Sequence, residues 1–336
     1  MSRVHPFVSV IMPVRNEAEF IAASLTAVLE QDYPPDRMEV LVVDGMSDDG
    51  TRAIVADVSS RYPDVSVSLL DNPRRIAPAA LNIGLRRARG DIIVRVDGHC
   101  EIARDYLSRC VEHLQTGEVD GVGGPIETVA TTPVGETIAA AMSSPFGVGN
   151  SAFRTVDNRT MLVDTVAFPA YTRAAILRAG LFDEELVRNQ DDEYNFRLRK
   201  FGGKIRLAPD VRSRYYSRAS LRSLWKQYFQ YGYWKVRVMQ KHPRQMRARH
   251  FAPPAFVLAL LGGGLLAPFV KLARYLWGGV FLLYTLANLS ASIWTARKKG
   301  WKHLPLLPVT FAVLHVSYGL GFLVGLVKFA GRWGDQ

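Results

Sequence analysis

Two cysteines in 336 residues, Cys100 and Cys110, are all the thiol chemistry in this chain. They show neither metal-ligand spacing nor a disulfide framework, which fits reduced thiols in a cytoplasmic setting. There is no G-x-x-x-x-G-K-S/T and no G-x-G-x-x-G, so a glycine-rich phosphate loop is excluded. The N-terminus, Met1-Ser-Arg-Val-His-Pro, opens directly into an apolar strand without the h-region of a signal peptide. The expectation is an N-terminal part that is not exported. Acidic residues almost vanish between Arg197 and His250, where 16 Lys and Arg face Asp210 alone, in a chain of net charge +11. Charge of either sign is absent from Ala252–Val270, Tyr275–Ala296 and Leu304–Val327, the last holding only His315. No internal repeat and no low-complexity tract is present.

Each of those uncharged runs is near the ~20 residues a spanning helix needs, and three in succession read as membrane spans. Gly262-Gly-Gly264 and Pro268 leave a re-entrant path open for the first. The flanks Lys235–Arg249 and Arg297–Lys302 are strongly basic, while Lys271 and Arg274 are the only charges between the first two spans. Positive-inside logic then puts the N-terminal domain and the second loop in the cytoplasm, a multi-pass arrangement in the inner or plasma membrane. Just before the spans, Ser220–Gln240 interleaves Leu221, Trp225, Tyr228, Phe229 and Trp234 with Arg222, Lys226, Lys235 and Arg237. Such a helix suits the membrane interface; a core-packed helix with a solvated basic face is the plainer alternative. The basic block suits anionic headgroups and diphosphates. Nucleic acid is not expected as a partner, because the block abuts the spans and no nucleic-acid motif appears.

Upstream, strand and helix alternate. Phe7–Met12, Met38–Val43, Val65–Leu70 and Ile92–Val96 are apolar runs of strand length. Ala18–Gln31, Thr51–Tyr62 and Pro78–Ala88 have helical spacing. That order predicts an α/β domain, a mostly parallel sheet with helices on both faces, and right-handed crossovers place Pro13, Asp44 and Asp97 along one edge. Further strands are expected at Val119–Ile126, Val163–Ala167, Ile205–Ala208 and Val211–Tyr216. Helices are expected at Asp105–Gln115, Pro133–Ala141, Arg173–Ala179 and Asp191–Phe201. Ser143–Asn158, rich in Gly, Ser and Asn, reads as a substrate loop or a surface connector. The domain limits expected are 1–219 for the catalytic domain, 220–250 for the interface helix and linker, and 251–330 for the membrane region, with spans near 252–270, 275–296 and 304–327.

Ligands of open α/β sheets bind outside the carboxyl ends of the strands. Asp97 stands there, followed by His99 and Glu101. Hard oxygen and imidazole ligands suit Mn²⁺ or Mg²⁺ holding a diphosphate; the plain alternative is an Asp-Gly turn. Asp44 ends the second strand and is placed to accept hydrogen bonds from a nucleobase or ribose. Asn16 or Glu17, after the first strand, can do the same, and Asn16 also suits a helix N-cap. With no phosphate loop, a nucleotide would rest on strand-end carboxylates and a metal.

Val8-Ser-Val-Ile-Met-Pro13-Val-Arg-Asn16-Glu17, Val42-Val-Asp44-Gly-Met-Ser47-Asp-Asp49-Gly50-Thr51, Asn82-Ile-Gly84, Gly90-Asp91 and Asp97 together resemble the family 2 glycosyltransferases. These are inverting enzymes of the GT-A fold that use nucleotide-diphosphate sugars. The resemblance extends over residues 5 to about 240. It implies nucleoside contacts from Pro13, Glu17 and Asp44, a further donor-site role for Asn16 and Asn82, and Asp97 as the metal and diphosphate residue of the D-x-D motif. A divalent cation, Mn²⁺ or Mg²⁺, is the implied cofactor, with Asp97 and His99 as ligands. Asn189-Gln-Asp191-Asp192-Glu193-Tyr-Asn-Phe-Arg197 resembles the family's E-D-x-D/E-L-x-x-R helix start. It implies Asp191 as general base, with Asp192 as the alternative. Gln230-Tyr-Gly-Tyr233-Trp234 resembles the Q-x-x-R-W motif of membrane glycan synthases, which implies acceptor contacts from Gln230 and Trp234; an interface anchor is the other reading of Trp234. Five positions depart from the family patterns: Gly45 and Leu81 stand where an acid and an arginine are usual, and His99, Gln190 and Tyr233 replace an acid, a glutamate and an arginine.

Inversion at an anomeric carbon needs one carboxylate to take the acceptor hydroxyl proton, and positive charge to stabilise the departing diphosphate. The expected function is therefore transfer of a sugar from a nucleotide sugar, UDP-linked by resemblance, to a lipid-linked (polyprenyl-diphosphate) or growing cell-surface glycan. Bacterial exopolysaccharide enzymes of the succinoglycan type are the most similar members. A processive polysaccharide synthase and a non-catalytic nucleotide-sugar-binding subunit are the rivals.

Overall fold

The structure, a computed structural model, describes residues 5–149, 151–156, 158–217 and 219–333. The reading of Met1–Val4 as lacking a leader, and two positions of the Ser143–Asn158 segment, Asn150 and Asp157, lie outside the described residues. The chain folds into two compact units, one of residues 1–127 and 152–216, the other of 128–151 and 217–336.

The first unit begins with the expected alternation: β1 (Val8–Val14), α1 (Ile21–Leu29), β2 (Met38–Asp44), α2 (Thr51–Ser60), β3 (Ser66–Asp71), α3 (Ala77–Arg87) and β4 (Ile92–Arg95). Then come β5 (Cys100–Ile102), α4 (Tyr106–Gln115), β6 (Gly121–Gly123) and β7 (Ile126–Val129). After α5 (Pro133–Met142) and α6 (Pro145–Val148) of the second unit, the first resumes with α7 (Ala152–Thr155), β8 (Met161–Leu162), β9 (Ala170–Thr172), α8 (Arg173–Ala179), α9 (Gln190–Lys200), β10 (Ile205–Leu207) and β11 (Ser213–Tyr216). The eight-stranded sheet has the order β3-β2-β1-β4-β9-β6-β10-β8. β3, β2, β1 and β4 are parallel neighbours, while β9 runs antiparallel to both β4 and β6.

Residues on successive positions of these strands face opposite layers. Val8, Val10, Met12, Val40, Val42 and Val94 pack in one core with Ile21, Leu25, Val55 and Leu107. Ile11, Leu41, Val43 and Ile93 pack in the other with Leu81, Ala175, Tyr194 and Leu198. Strands covered on both faces read as near-continuous apolar runs, which is why the sequence shows little alternation in β1 and β2.

Two strands differ from expectation. The one expected over Val163–Ala167 lies instead at β9. Phe168 takes a positive φ of 45°, and its carbonyl accepts a 2.6 Å hydrogen bond from the Tyr106 hydroxyl, so the chain turns before it pairs. The strand expected over Val119–Ile126 is divided into β6 and β7 at Gly124-Pro125. A Cβ on Gly124 would lie 1.5 Å from the Val211 carbonyl oxygen, so the backbone there approaches another backbone and leaves the ladder. The Ser143–Asn158 segment also carries the two short helices α6 and α7, with Pro145 in the first turn of α6.

The second unit adds α10 (Leu221–Lys241), α11 (Ala248–Leu266), α12 (Lys271–Lys299) and α13 (Leu307–Lys328). The last three are long and apolar enough to cross a membrane. α10 packs along α13 through glycines: a Cβ on Gly232 would meet the Tyr318 carbonyl oxygen at 2.0 Å, and one on Gly321 the Phe229 carbonyl oxygen at 2.0 Å. Small residues at such crossings let two backbones approach. Lys235 and Arg237 are buried rather than solvated, and Arg237 donates to the Arg332 carbonyl at 3.1 Å. Two polar side chains inside the bundle are hydrogen-bonded to backbone, Asn288 donating to the Pro308 carbonyl at 3.0 Å and His315 lying 2.8 Å from the Phe146 carbonyl.

At the amino ends of β1 and β2, Glu39 is buried against the Ser9 hydroxyl (2.6 Å), the Arg89 N–H (2.8 Å) and the Arg89 guanidinium (2.9 Å). Burial pushes its carboxyl up, but these donors outweigh burial and leave it below the ordinary 4.5. The folded state therefore binds fewer protons here than the unfolded chain. The stability Glu39 contributes is complete above its ordinary value and is lost as pH falls through the lowered one. Thermal unfolding in detergent between about pH 3 and 6 should show a shallower acid loss in Glu39→Gln than in wild type. Parallel losses would place the acid sensitivity elsewhere.

Candidate active site

The residues after β1, β2 and β4 meet at one end of the parallel strands, because the three strands are paired in register. Asn16 adopts φ 53°, and its amide exchanges hydrogen bonds with Asp48 (Nδ2 to Oδ1 2.9 Å, Asp48 N–H to Oδ1 3.1 Å). Its N–H donates to the Ser47 hydroxyl at 2.9 Å. The N-cap reading of Asn16 is corrected: α1 starts only at Ile21, after Phe20. Asp49 adds a bond from the Ala18 N–H at 3.0 Å, and the Thr51 hydroxyl accepts from the Glu17 N–H at 2.9 Å. The loops after β1 and β2 are thus laced into one rim, beside which Pro13 is half-buried.

Asp44 closes β2 with its side chain fully buried. It accepts from the Ser47 N–H (3.0 Å), the Ser47 hydroxyl and Arg52 (2.9 Å). Burial raises its pKa, the Ser47 and Arg52 donors lower it more, and the carboxyl stays below the ordinary 3.8. In this state the Asp44 carboxylate secures the turn that carries the rim. Asn82, buried in α3, donates to the Phe182 carbonyl (2.9 Å) and to Glu184 (2.8 Å) and accepts from the Phe182 N–H (2.8 Å). Its amide ties α3 to the segment that leads into α9.

Asp97 and His99 follow β4. Gly98 between them lies against the end of β1, where a Cβ would sit 3.0 Å from Val14 and 3.1 Å from Glu17. This brings Glu17 to His99, Oε1 to Nδ1 at 2.9 Å, with Tyr215 edge-on to the imidazole at 5.3 Å. Asp97 is 19% exposed and accepts both bonds of a fork from Arg95, from Nε at 2.8 Å and from a terminal nitrogen at 3.0 Å. Burial raises the Asp97 pKa, and the Arg95 charge overrides it to hold the carboxyl below 3.8. Burial also works against the charge of Arg95, but Asp97 and Asp191 leave the guanidinium held more firmly protonated than usual.

Asp191 opens α9, a helix with three acids in its first turn and three bases in its last, as the macrodipole favours. It is 47% exposed, and its Oδ2 lies 3.9 Å from the remaining terminal nitrogen of Arg95. Its other oxygen accepts from the Asp192 N–H at 2.9 Å. Gln190 and Glu193 are buried, and Glu193 is forked by Arg197 at 2.9 Å. The first unit thus gathers Glu17, Asp97, His99 and Asp191, with Asp192 adjacent. Gln230 and Trp234 belong to the second unit, on α10, where Trp234 packs with Tyr233 and Phe329.

Arg95 is the member that sequence reasoning missed. A signal existed: one cation in the buried run Ile92–Val96, two residues before Asp97 and so on the same side of the strand. Glu184, joined to Asn82 and Arg74, had no comparable signal.

Among the described residues, no group of three or more His, Cys, Asp and Glu is arranged to hold a metal. Asp97 and His99 fit a cation completed by ligand oxygens. The imidazole has Nδ1 against a carboxylate, as metal-bound histidines commonly do, and a carboxylate has lone pairs beyond those used by one guanidinium fork.

Residues 9–181 match the model for Glycosyl transferase family 2. The chain belongs to that family. This family 2 glycosyltransferase is 31% identical over 332 residues to the succinoglycan biosynthesis protein ExoA of Rhizobium meliloti, covering 96% of each chain. It is 27% identical over 328 residues to the dolichyl N-acetyl-alpha-D-glucosaminyl phosphate 3-beta-D-2,3-diacetamido-2,3-dideoxy-beta-D-glucuronosyltransferase of Methanococcus voltae, covering 96% of this chain and 98% of that one. Among solved structures, the mannosyltransferase PcManGT from Pyrobaculum calidifontis, in complex with GDP-Man and Mn²⁺, superposes with a TM-score of 0.62 at 22% identity, covering 97% of this chain and 88% of that one. The fold is therefore GT-A, as the sequence motifs implied, followed by helices able to span a membrane.

The hydrogen bonds of Asn82 give it a part in the scaffold of this glycosyltransferase. Asn82→Ala strands the Phe182 backbone groups and should cost about 1–3 kcal/mol of stability, read by thermal unfolding, with nucleoside-diphosphate affinity retained below the melting range. Lost affinity at unchanged stability would return Asn82 to a ligand contact.

Proposed function

We propose that this enzyme transfers a sugar, with inversion, from a nucleotide-diphosphate sugar to a lipid-linked or growing cell-surface polysaccharide acceptor. The observation that carries the proposal is the meeting of Asp97 and Asp191 at one guanidinium, at the carboxyl ends of the parallel strands of a GT-A sheet. Asp191 is half-exposed at the start of α9, and it acts as general base toward the acceptor hydroxyl. Asp192 is next in line. Asp97 and His99 hold a divalent cation, Mn²⁺ or Mg²⁺, which when bound supplies positive charge to the departing diphosphate. Glu17 orients the His99 ring. The rim of Pro13, Asn16 and the Asp44 turn receives the nucleoside, with a UDP-sugar as the expected donor. Gln230 and Trp234 serve the acceptor.

The acceptor class follows from the relatives, one named for succinoglycan synthesis and one for action on a dolichyl-linked sugar phosphate. A cytoplasmic site is supported by the basic segment Arg297–Lys302. Within the second unit, Lys302 pairs with Glu136 at 2.6 Å, and His303 lies 3.0 Å from the Thr137 hydroxyl. Both partners are on α5, so the basic loop before the third span is tied to that helix.

The test is purified enzyme in detergent with a panel of radiolabelled nucleotide sugars and lipid extract, with EDTA or with Mn²⁺. Wild type should label a lipid-extractable product from one donor only when Mn²⁺ is present. Asp191→Asn should slow transfer by roughly 10²–10⁴-fold while still binding the nucleoside diphosphate. Full transfer by Asp191→Asn would remove the base assignment, and full activity in EDTA would remove the cation.

A further inference from the structure

Arg95 sits in β4 with its backbone fixed on both sides. It is in register with Ile11 of β1, and its N–H donates to the Pro169 carbonyl at 3.0 Å. Its side chain is 14% exposed and shares a layer with Ile93, Tyr171 and Tyr194. α9 lies on that same face of the sheet, since Tyr194 and Leu198 belong to its core. The guanidinium therefore leaves the strand between the carboxylate that follows β4 and the carboxylate that opens α9. One edge, Nε and a terminal nitrogen, is committed to the two oxygens of Asp97. The opposite corner is 3.9 Å from Asp191.

We infer that Arg95 is a positioning residue of the transfer reaction, a rigid spacer whose guanidinium fixes the Asp191 carboxylate relative to Asp97 and so relative to the donor diphosphate. This rests on the proposed roles of those two acids. The planar fork is essential to it. A lysine ammonium is a single point of charge and cannot hold one carboxylate by two parallel bonds while presenting a third nitrogen to another. Asp191 has to be open to the acceptor; one of its oxygens accepts from the Asp192 N–H of its own helix, and the Arg95 contact at the other is what sets the carboxylate relative to Asp97. A base displaced by an ångström loses rate and not ground-state affinity.

The experiment is a double-mutant cycle of Arg95→Met and Asp191→Asn, with kcat, donor KM and calorimetric binding of the nucleoside diphosphate measured for each protein. Arg95→Met should lower kcat by about 10²-fold, with donor KM and nucleoside-diphosphate binding changed far less. The double variant should be no slower than Asp191→Asn alone, because residues acting as a unit are not additive. Arg95→Lys should stay close to Arg95→Met, and guanidinium ion added to Arg95→Ala should restore part of the rate; these two variants carry the comparison if Arg95→Met does not fold. Multiplying losses in the double variant, or weakened nucleotide binding with kcat intact, would overturn the inference while leaving Asp191 as base. Transfer by Asp191→Asn at the wild-type rate would instead remove the base itself, and the positioning role with it.

Discussion

A charge on a buried strand must be paired, and the whole first unit is arranged around meeting that requirement. Where β2 begins, Glu39 is met by Ser9 and Arg89. Where it ends, Asp44 is met by Ser47 and Arg52. Beyond β4, Asp97 is met by Arg95, whose outer nitrogen reaches Asp191. The first of these pairings serves the scaffold. The other two lie at the edge proposed as the site, because a sheet whose strands lie parallel and in register delivers its carboxyl-terminal charges to the same edge. Catalysis by proton removal and diphosphate departure needs such a set, ionised and fixed before the substrate arrives.

Much of this was legible in the amino-acid order. The alternation of β1 to β4 with α1 to α3 follows from apolar runs with turn residues between them, and so does the placing of Pro13, Asp44 and Asp97 on one edge. Asp191 was singled out by the resemblance of Asn189–Arg197 to the family's helix start, not by the local charge pattern. What was not legible was how side chains share partners across long separations. Asn82 meets Phe182 and Glu184 a hundred residues on, and no local pattern announces that. Glu17 meets His99 only because Gly98 lets two loops touch. The strand expected at Val163–Ala167 failed for a related reason. The β propensity is real, but a backbone turn at Phe168 and a Tyr106 hydrogen bond decide where pairing starts. Propensity is a weak prior where tertiary contacts compete.

In the second unit the same lesson concerns α10. Its aromatic and basic residues suit an interface helix by composition. Its glycine face shows what composition hides, a backbone-to-backbone approach to α13 through Gly232 and Gly321. The cations Lys235 and Arg237 are thereby buried against protein rather than spread over a polar surface. Apolar side chains of α11 and α12, Leu265 and Leu283 among them, remain exposed, as lipid-facing residues would be.

In the proposed reaction one carboxylate, Asp191, works alone on the acceptor while the diphosphate leaves on the Asp97 side, which makes a single displacement at the anomeric carbon. The most direct measurement is the anomeric configuration of the sugar in the isolated product, read by proton NMR coupling and compared with that of the donor. The opposite configuration is expected in every product molecule. Retention of the donor configuration would contradict it, since retention requires a second displacement or a front-face path in which Asp191 has no such role.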